Sequence, residues 1–127
     1  MRRLALLVLL STLAAASLAL AAPAGPYKGK VVGDDSGDVT FKVVGNKVKK
    51  FKIDSVTATC YPLTAVTVYV PEAKIRNGAF SRTYRPEPTN EHRIKLKGRF
   101  DGAKARGSVE GGPNCVYKAK WTARMRR

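Results

Sequence analysis

The sequence predicts an all-β fold: an antiparallel meander of about eight or nine strands forming a small barrel or sandwich with one disulfide. Three observations carry this. Beyond residue 21, Val occurs twelve times and Leu only at Leu63 and Leu96. Apolar and polar residues alternate between Gly, Pro, Asn and Asp breaks, with no helical stripe of useful length. At 127 residues the chain is one small domain, with no linker or repeat. Consecutive hairpins need only local connections, which tips the expectation toward the barrel.

The elements follow in order. Met1, Arg2 and Arg3 precede an apolar run over 4–10 and a Leu/Ala/Ser run to Ala22, the order of a secretory signal. Ala19 and Ala21 occupy the small-residue positions before a cut after residue 21. Arg2 and Arg3 lack the polar context of the twin-arginine route, so ordinary secretion is expected. No Cys follows the cut to carry a lipid, and the run is short for a membrane span, so the mature chain is expected to have no transmembrane segment. The reading is therefore a signal peptide over 1–21, a flexible leader over 22–26 and a β-domain over 27–127. The product is secreted, or periplasmic and held in the cell envelope.

Val39, Phe41 and Val43 share one face of the first clear hairpin, and Val48, Phe51 and Ile53 return after Gly45-Asn46. The parity of the second set slips once. A two-residue turn pairs Val43 with Val48 and requires a one-residue bulge near Lys49 and Lys50; a three-residue turn aligns Phe41 with Phe51 directly. Both bring Phe41 to Phe51. A strand over 64–70 follows the Cys60-Tyr61-Pro62 corner, and Asn77-Gly78 sets Ile75 opposite Phe80. Pro86 and Pro88 mark a connection over 85–90.

Reading Asp101-Gly102 as a two-residue turn sets Phe100 against Ala103, Gly98 against Ala105, Leu96 against Gly107 and Ile94 against Val109. A turn over 110–114 then aligns Gly107 with Tyr117, Ala105 with Ala119 and Ala103 with Trp121, so rings lie over small residues. The opposite face carries Arg93, Lys95, Lys97, Arg99, Lys104, Arg106, Lys118 and Lys120, with Arg124 further along. Neighbours on that face are about 5 Å apart across strands and about 6.7 Å along them.

Charge gives that face its interest. The whole chain has 24 Lys plus Arg against 9 Asp plus Glu, a net of +15. Without residues 1–21, 22 basic and 9 acidic groups remain, a net of +13; residues 92–127 hold +9 of it and residues 22–91 only +4. Such a field attracts polyanions: anionic glycans, wall polymers or lipid head groups. No ring is placed among the cations for base stacking, which disfavours nucleic acid. A plainer reading is that outward lysines keep the sheet soluble and block edge aggregation.

Other chemistry finds little material. With one His and two Cys there is no zinc set, no phosphate loop and no nucleophile elbow, so the expectation is a non-enzyme with no cofactor or metal. Asp34, Asp35 and Asp38 lack the spacing of a calcium loop and read as an acidic turn. His92 has no partners for a catalytic base. Export leaves Cys60 and Cys115 one intramolecular pairing, a disulfide restricting the unfolded chain by about 4 kcal/mol. The alternative function is a small-ligand carrier or inhibitor using the barrel interior or the 85–90 loop, which requires an open cavity.

Phe41 and Val43, Cys60, the 75–81 segment with Gly78 and Phe80, Gly98 and Phe100, Ala105 and Gly107, Cys115, and Trp121 with Ala123 resemble a recurrent class of small exported bacterial β-domains with no assigned activity. The resemblance spans nearly all of the mature chain. Its positions are turns, core rings and disulfide partners, so it implies a fold and no catalytic residue.

Overall fold

The computed structural model describes residues 22–33, 37–60, 63–86 and 92–126. The export segment at 1–21 lies outside them, as do Asp34, Asp35 and positions 87–90 of the connecting loop. Eight strands follow in order: β1 (Gly25–Val32), β2 (Asp38–Val44), β3 (Lys47–Thr59), β4 (Leu63–Arg76), β5 (Ala79–Tyr84), β6 (Arg93–Asp101), β7 (Lys104–Gly112) and β8 (Tyr117–Met125). Each pairs antiparallel with the next, and β8 returns to β1, so the meander closes as a barrel and not a sandwich. Closure leaves neither terminal strand as an open sheet edge.

Two expected boundaries move. Gly25 and Pro26, assigned to the flexible leader, belong to β1: Gly25 pairs with Val43, and the Pro26 carbonyl accepts the Arg126 N–H at 2.7 Å. The strand expected over 64–70 continues to Arg76 as part of one 14-residue element. Its ladder to β3 passes from Phe51↔Val70 to Lys49↔Glu72, skipping Lys50 and Pro71. Proline has no N–H to give there, so that rung is lost while the register stays the same on either side; β3 bulges at this place against its other neighbour, β2.

That bulge settles the first hairpin. Val43 pairs with Val48 across Gly45-Asn46, the register shifts between Thr40 and Lys42, and Val39 then faces Ile53. Lys50 takes φ +54°, a left-handed conformation. The two-residue turn with a bulge is thus the form adopted, and the Phe41 and Phe51 rings lie 5.7 Å apart. At the second hairpin Asn77 and Gly78 both have positive φ, 52° and 74°, matching the right-handed strand twist, and Ile75 meets Phe80.

The inward face of every strand feeds one core, whose centre is a set of rings. Tyr27 stacks on Phe41 at 4.8 Å, and Trp121 sits 5.1 Å from Phe51 and 6.0 Å from Phe80. Phe100 closes edge-on against Tyr27 at 5.5 Å. Trp121 is fully buried, and among the described residues its indole N–H has no hydrogen-bond partner, a cost set against the ring packing around it. Burial also raises the Tyr27 phenol, whose hydroxyl donates to the Pro23 carbonyl at 2.8 Å, and pushes Tyr117 up to about 12.

Cys60 and Cys115 form the expected disulfide, Cα to Cα 4.3 Å. Beside it Thr59 and Val116 exchange two backbone hydrogen bonds of 2.8 and 3.1 Å, which tie the end of β3 to the approach of β8. The disulfide suits an oxidising compartment. Among the described residues no helix is long and apolar enough to cross a membrane.

Candidate functional site

The last three strands sort as their alternation requires. Ile94, Leu96, Ala105, Val109, Tyr117 and Trp121 are buried, whereas Arg93, Lys95, Lys97, Arg99, Lys104, Arg106, Lys118 and Lys120 are all exposed on the outer surface. The register within that sorting differs from the expected one. Across β6 and β7 the turn is Gly102-Ala103, so Phe100 faces Ala105, Gly98 faces Gly107 and Leu96 faces Val109, a slip of two residues. Pairing the two glycines opens one gap for two rings: Phe80 occupies the space a Gly98 side chain would need, and Trp121 the space beside Gly107.

Across β7 and β8 the slip is four residues. Gly111 pairs with Tyr117, Gly107 with Trp121 and Ala105 with Ala123. Cys115 and Val116 are held by Cys60 and Thr59, so neither is free to continue the β7 ladder as the 110–114 turn supposed. Both slips are even. Side chains alternate with period two, so an even slip changes each residue's neighbours and leaves its face unchanged.

The new neighbours redraw the basic face. The outer-face pairs that turns at Asp101-Gly102 and over 110–114 imply, Arg99 with Lys104, Lys97 with Arg106, Arg106 with Lys118 and Lys104 with Lys120, do not form. Lys97 instead faces Ser108, which faces Lys120. Lys95 faces Glu110, which faces Lys118 and binds its ammonium at 3.6 Å. Arg93, at the far end, faces Gly112. The upper part of the patch is therefore diluted by a hydroxyl and a carboxylate.

The charge concentrates lower down, where the barrel closes. Arg99 lies directly opposite Arg106. One rung further, Lys104 pairs with Arg124 and Arg124 with Lys28, a row of three cations over β7, β8 and β1 that ends at β6 on Asp101, opposite Lys104. Strands lie about 4.8 Å apart, so the row is dense. Among the described residues none of these five cations makes an ion pair; the pairs present are Lys30–Asp38 (2.9 Å), Lys47–Glu72 (3.2 Å) and Lys118–Glu110. The hydrogen bond and charge of Lys30 hold the Asp38 carboxyl below its ordinary value, and Lys47 does the same for Glu72.

Two shallow clefts lie over this region. One, of about 400 Å³, is lined by Lys28, Lys30, Arg99, Lys104, Arg106 and Arg124, with Thr122 and Asp101. The other, of about 840 Å³, is bordered by Lys97, Arg99, Arg106 and Lys120, with hydroxyls from Ser81, Ser108 and Thr122. They share Arg99, Arg106 and Thr122. Both open on the outer surface, and the rings fill the centre of the barrel.

Sequence reasoning missed Lys28 and Lys30 and left Arg124 at the margin. Their outward parity was readable from Tyr27, Gly29 and Val31, which alternate with them. Their position beside β8 was not, because no local signal specifies which strand the first one joins. The remaining candidates stay apart. His92 lies 6.2 Å from the Tyr117 ring, Arg82 covers Tyr84 at 5.2 Å, and Asp38 is engaged by Lys30. Among the described residues no three His, Cys, Asp or Glu side chains converge on a metal position. Comparison with known proteins leaves the chain apart: no family model matches it, and neither the curated proteins nor the solved structures give a match.

Proposed function

We propose that this is an exported, non-enzymatic protein that attaches itself to anionic polymers of a cell envelope or its surroundings through the basic outer face of β6, β7, β8 and β1. The observation that supports the reading best is the Lys104–Arg124–Lys28 row beside the Arg99–Arg106 pair, five cations with no ion-pair partner among the described residues. Like charges facing each other across strands cost a few tenths of a kcal/mol each, so roughly 1 kcal/mol favours an arriving anion that neutralises them. A polyanion also releases its condensed counterions, which makes attachment entropic and steeply salt-dependent. The signal-like order of residues 1–21 and the disulfide agree with export.

Retention on immobilised heparin over a salt series tests this. The protein is expected to elute at progressively lower salt as charge is reversed at Lys28, Arg106 and Arg124, and the triple variant to pass through at about 0.15 M salt. Retention indifferent to salt, or unchanged in the triple variant, overturns the reading.

A further inference from the structure

The smaller of the two clefts has a chemistry more specific than net charge. We infer that Arg99, Arg106 and Arg124 form a discrete subsite for a single tetrahedral oxyanion, a phosphate or sulfate ester carried by the polymer; this deepens the polyanion reading and rests on it. Three arginines from three strands line one cleft of about 400 Å³: Arg99 from β6, Arg106 directly opposite on β7, and Arg124 from β8. Lys28 and Lys104 flank Arg124 in its row, and Thr122 adds a neutral hydroxyl beside Arg106. Asp101 is the one carboxylate on the rim, against six cations.

The cleft depends on close strand approach. Gly29 pairs with Ala123, and a side chain there would run into the Thr122 backbone carbonyl, with the Ala123 Cα at 2.5 Å. The missing Cβ lets β1 lie against β8 and carries Lys28 and Lys30 to the rim of the cleft that Arg106 and Arg124 line.

The ligand class follows from donor geometry. A guanidinium is a rigid planar fork that binds two oxygens at once, whereas an ammonium is a point charge. A carboxylate has two oxygens in one plane, and one fork satisfies its bidentate edge. A phosphate or sulfate monoester presents three terminal oxygens and so three edges, and forks arriving from three strands can each bind one. Three arginines around one cleft therefore favour the tetrahedral group, while the lysines set the general field.

The test compares dextran carrying phosphate monoesters, dextran sulfate and poly-L-glutamate at equal charge concentration and one ionic strength, with binding followed by titration calorimetry. The protein is expected to bind at least one tetrahedral polymer about tenfold more tightly than polyglutamate, and the stronger of the two arms identifies the ester. The charge-preserving variant Arg99→Lys, Arg106→Lys, Arg124→Lys is expected to bind all three polymers within about twofold of each other. These residues are exposed, and an unchanged unfolding midpoint confirms that the variant is folded. Equal binding of all three polymers by the unaltered protein, or a preference that survives the lysine variant, overturns the subsite and leaves the polyanion reading standing. Binding to none of the three overturns both.

Discussion

Gly107 shows how one absent side chain organises its surroundings. Its inward position lies under the Trp121 ring, with the ring carbon Cζ2 2.7 Å from where a Cβ would stand, and the Lys97 carbonyl is closer still. The backbone carbonyl cannot retreat without breaking the β6–β7 ladder, so Gly107→Ala should cost about 2–3 kcal/mol, read as a lower denaturant midpoint at constant slope. A loss under about 0.5 kcal/mol would mean that the ring and ladder yield freely. That small residues would underlie large rings was legible in the spacing of Gly98, Ala105 and Gly107 against Tyr117 and Trp121. Which ring covers which glycine was not, because a shift of two residues satisfies the same alternation and only three-dimensional fit distinguishes the alternatives. Packing decides in favour of the glycine pair, which gives Phe80 and Trp121 a shared opening.

The Asn77-Gly78 hairpin was read from its turn residues and the bulge at Lys50 was one of the two forms the sequence allowed, whereas the turn expected at Asp101-Gly102 forms at Gly102-Ala103. The Asn77-Gly78 hairpin nevertheless carries the shortest ladder of the barrel. β4 and β5 leave their turn as partners at Ile75↔Phe80 and Arg76↔Ala79 only, and the two strands pair no further. Across the gap the Arg82 guanidinium donates to the Glu72 carbonyl at 2.6 Å, and Arg82 also lies over the Tyr84 ring. An arginine side chain here does the work of a missing backbone ladder, and its stem fills space at the seam. Arg82→Met keeps most of the stem and removes the donor. Amides of β4 and β5 next to the seam should then exchange about tenfold faster, with those of β7 unchanged, in native-state hydrogen exchange. Uniform acceleration through the barrel would show that Arg82 supports global stability and not this joint.

At the scale of the molecule, two long-range ties complete what the hairpins begin: β1 against β8, and Cys60 against Cys115. The disulfide closes a separation of 55 residues. On the chain-entropy account, replacing both cysteines with serine should lower unfolding free energy by about 4 kcal/mol, measured by denaturant titration. An equal stability for the serine variant would place the constraint elsewhere, in the Thr59–Val116 bridge. Closure of the barrel has the larger consequence for surface chemistry, since it sets Lys28 of the first strand beside Arg124 of the last and builds the cation row from opposite ends of the chain. By itself the sequence determined which strand residues face inward and which outward, along with the Asn77-Gly78 turn and the cysteine pairing. Alternation is a property of two successive residues, and a lone pair of cysteines has one intramolecular partner choice. The tertiary structure alone decided which cations are neighbours, because register and closure depend on ring packing, the disulfide and the joining of distant strands, and none of these is expressed in a local stretch of chain.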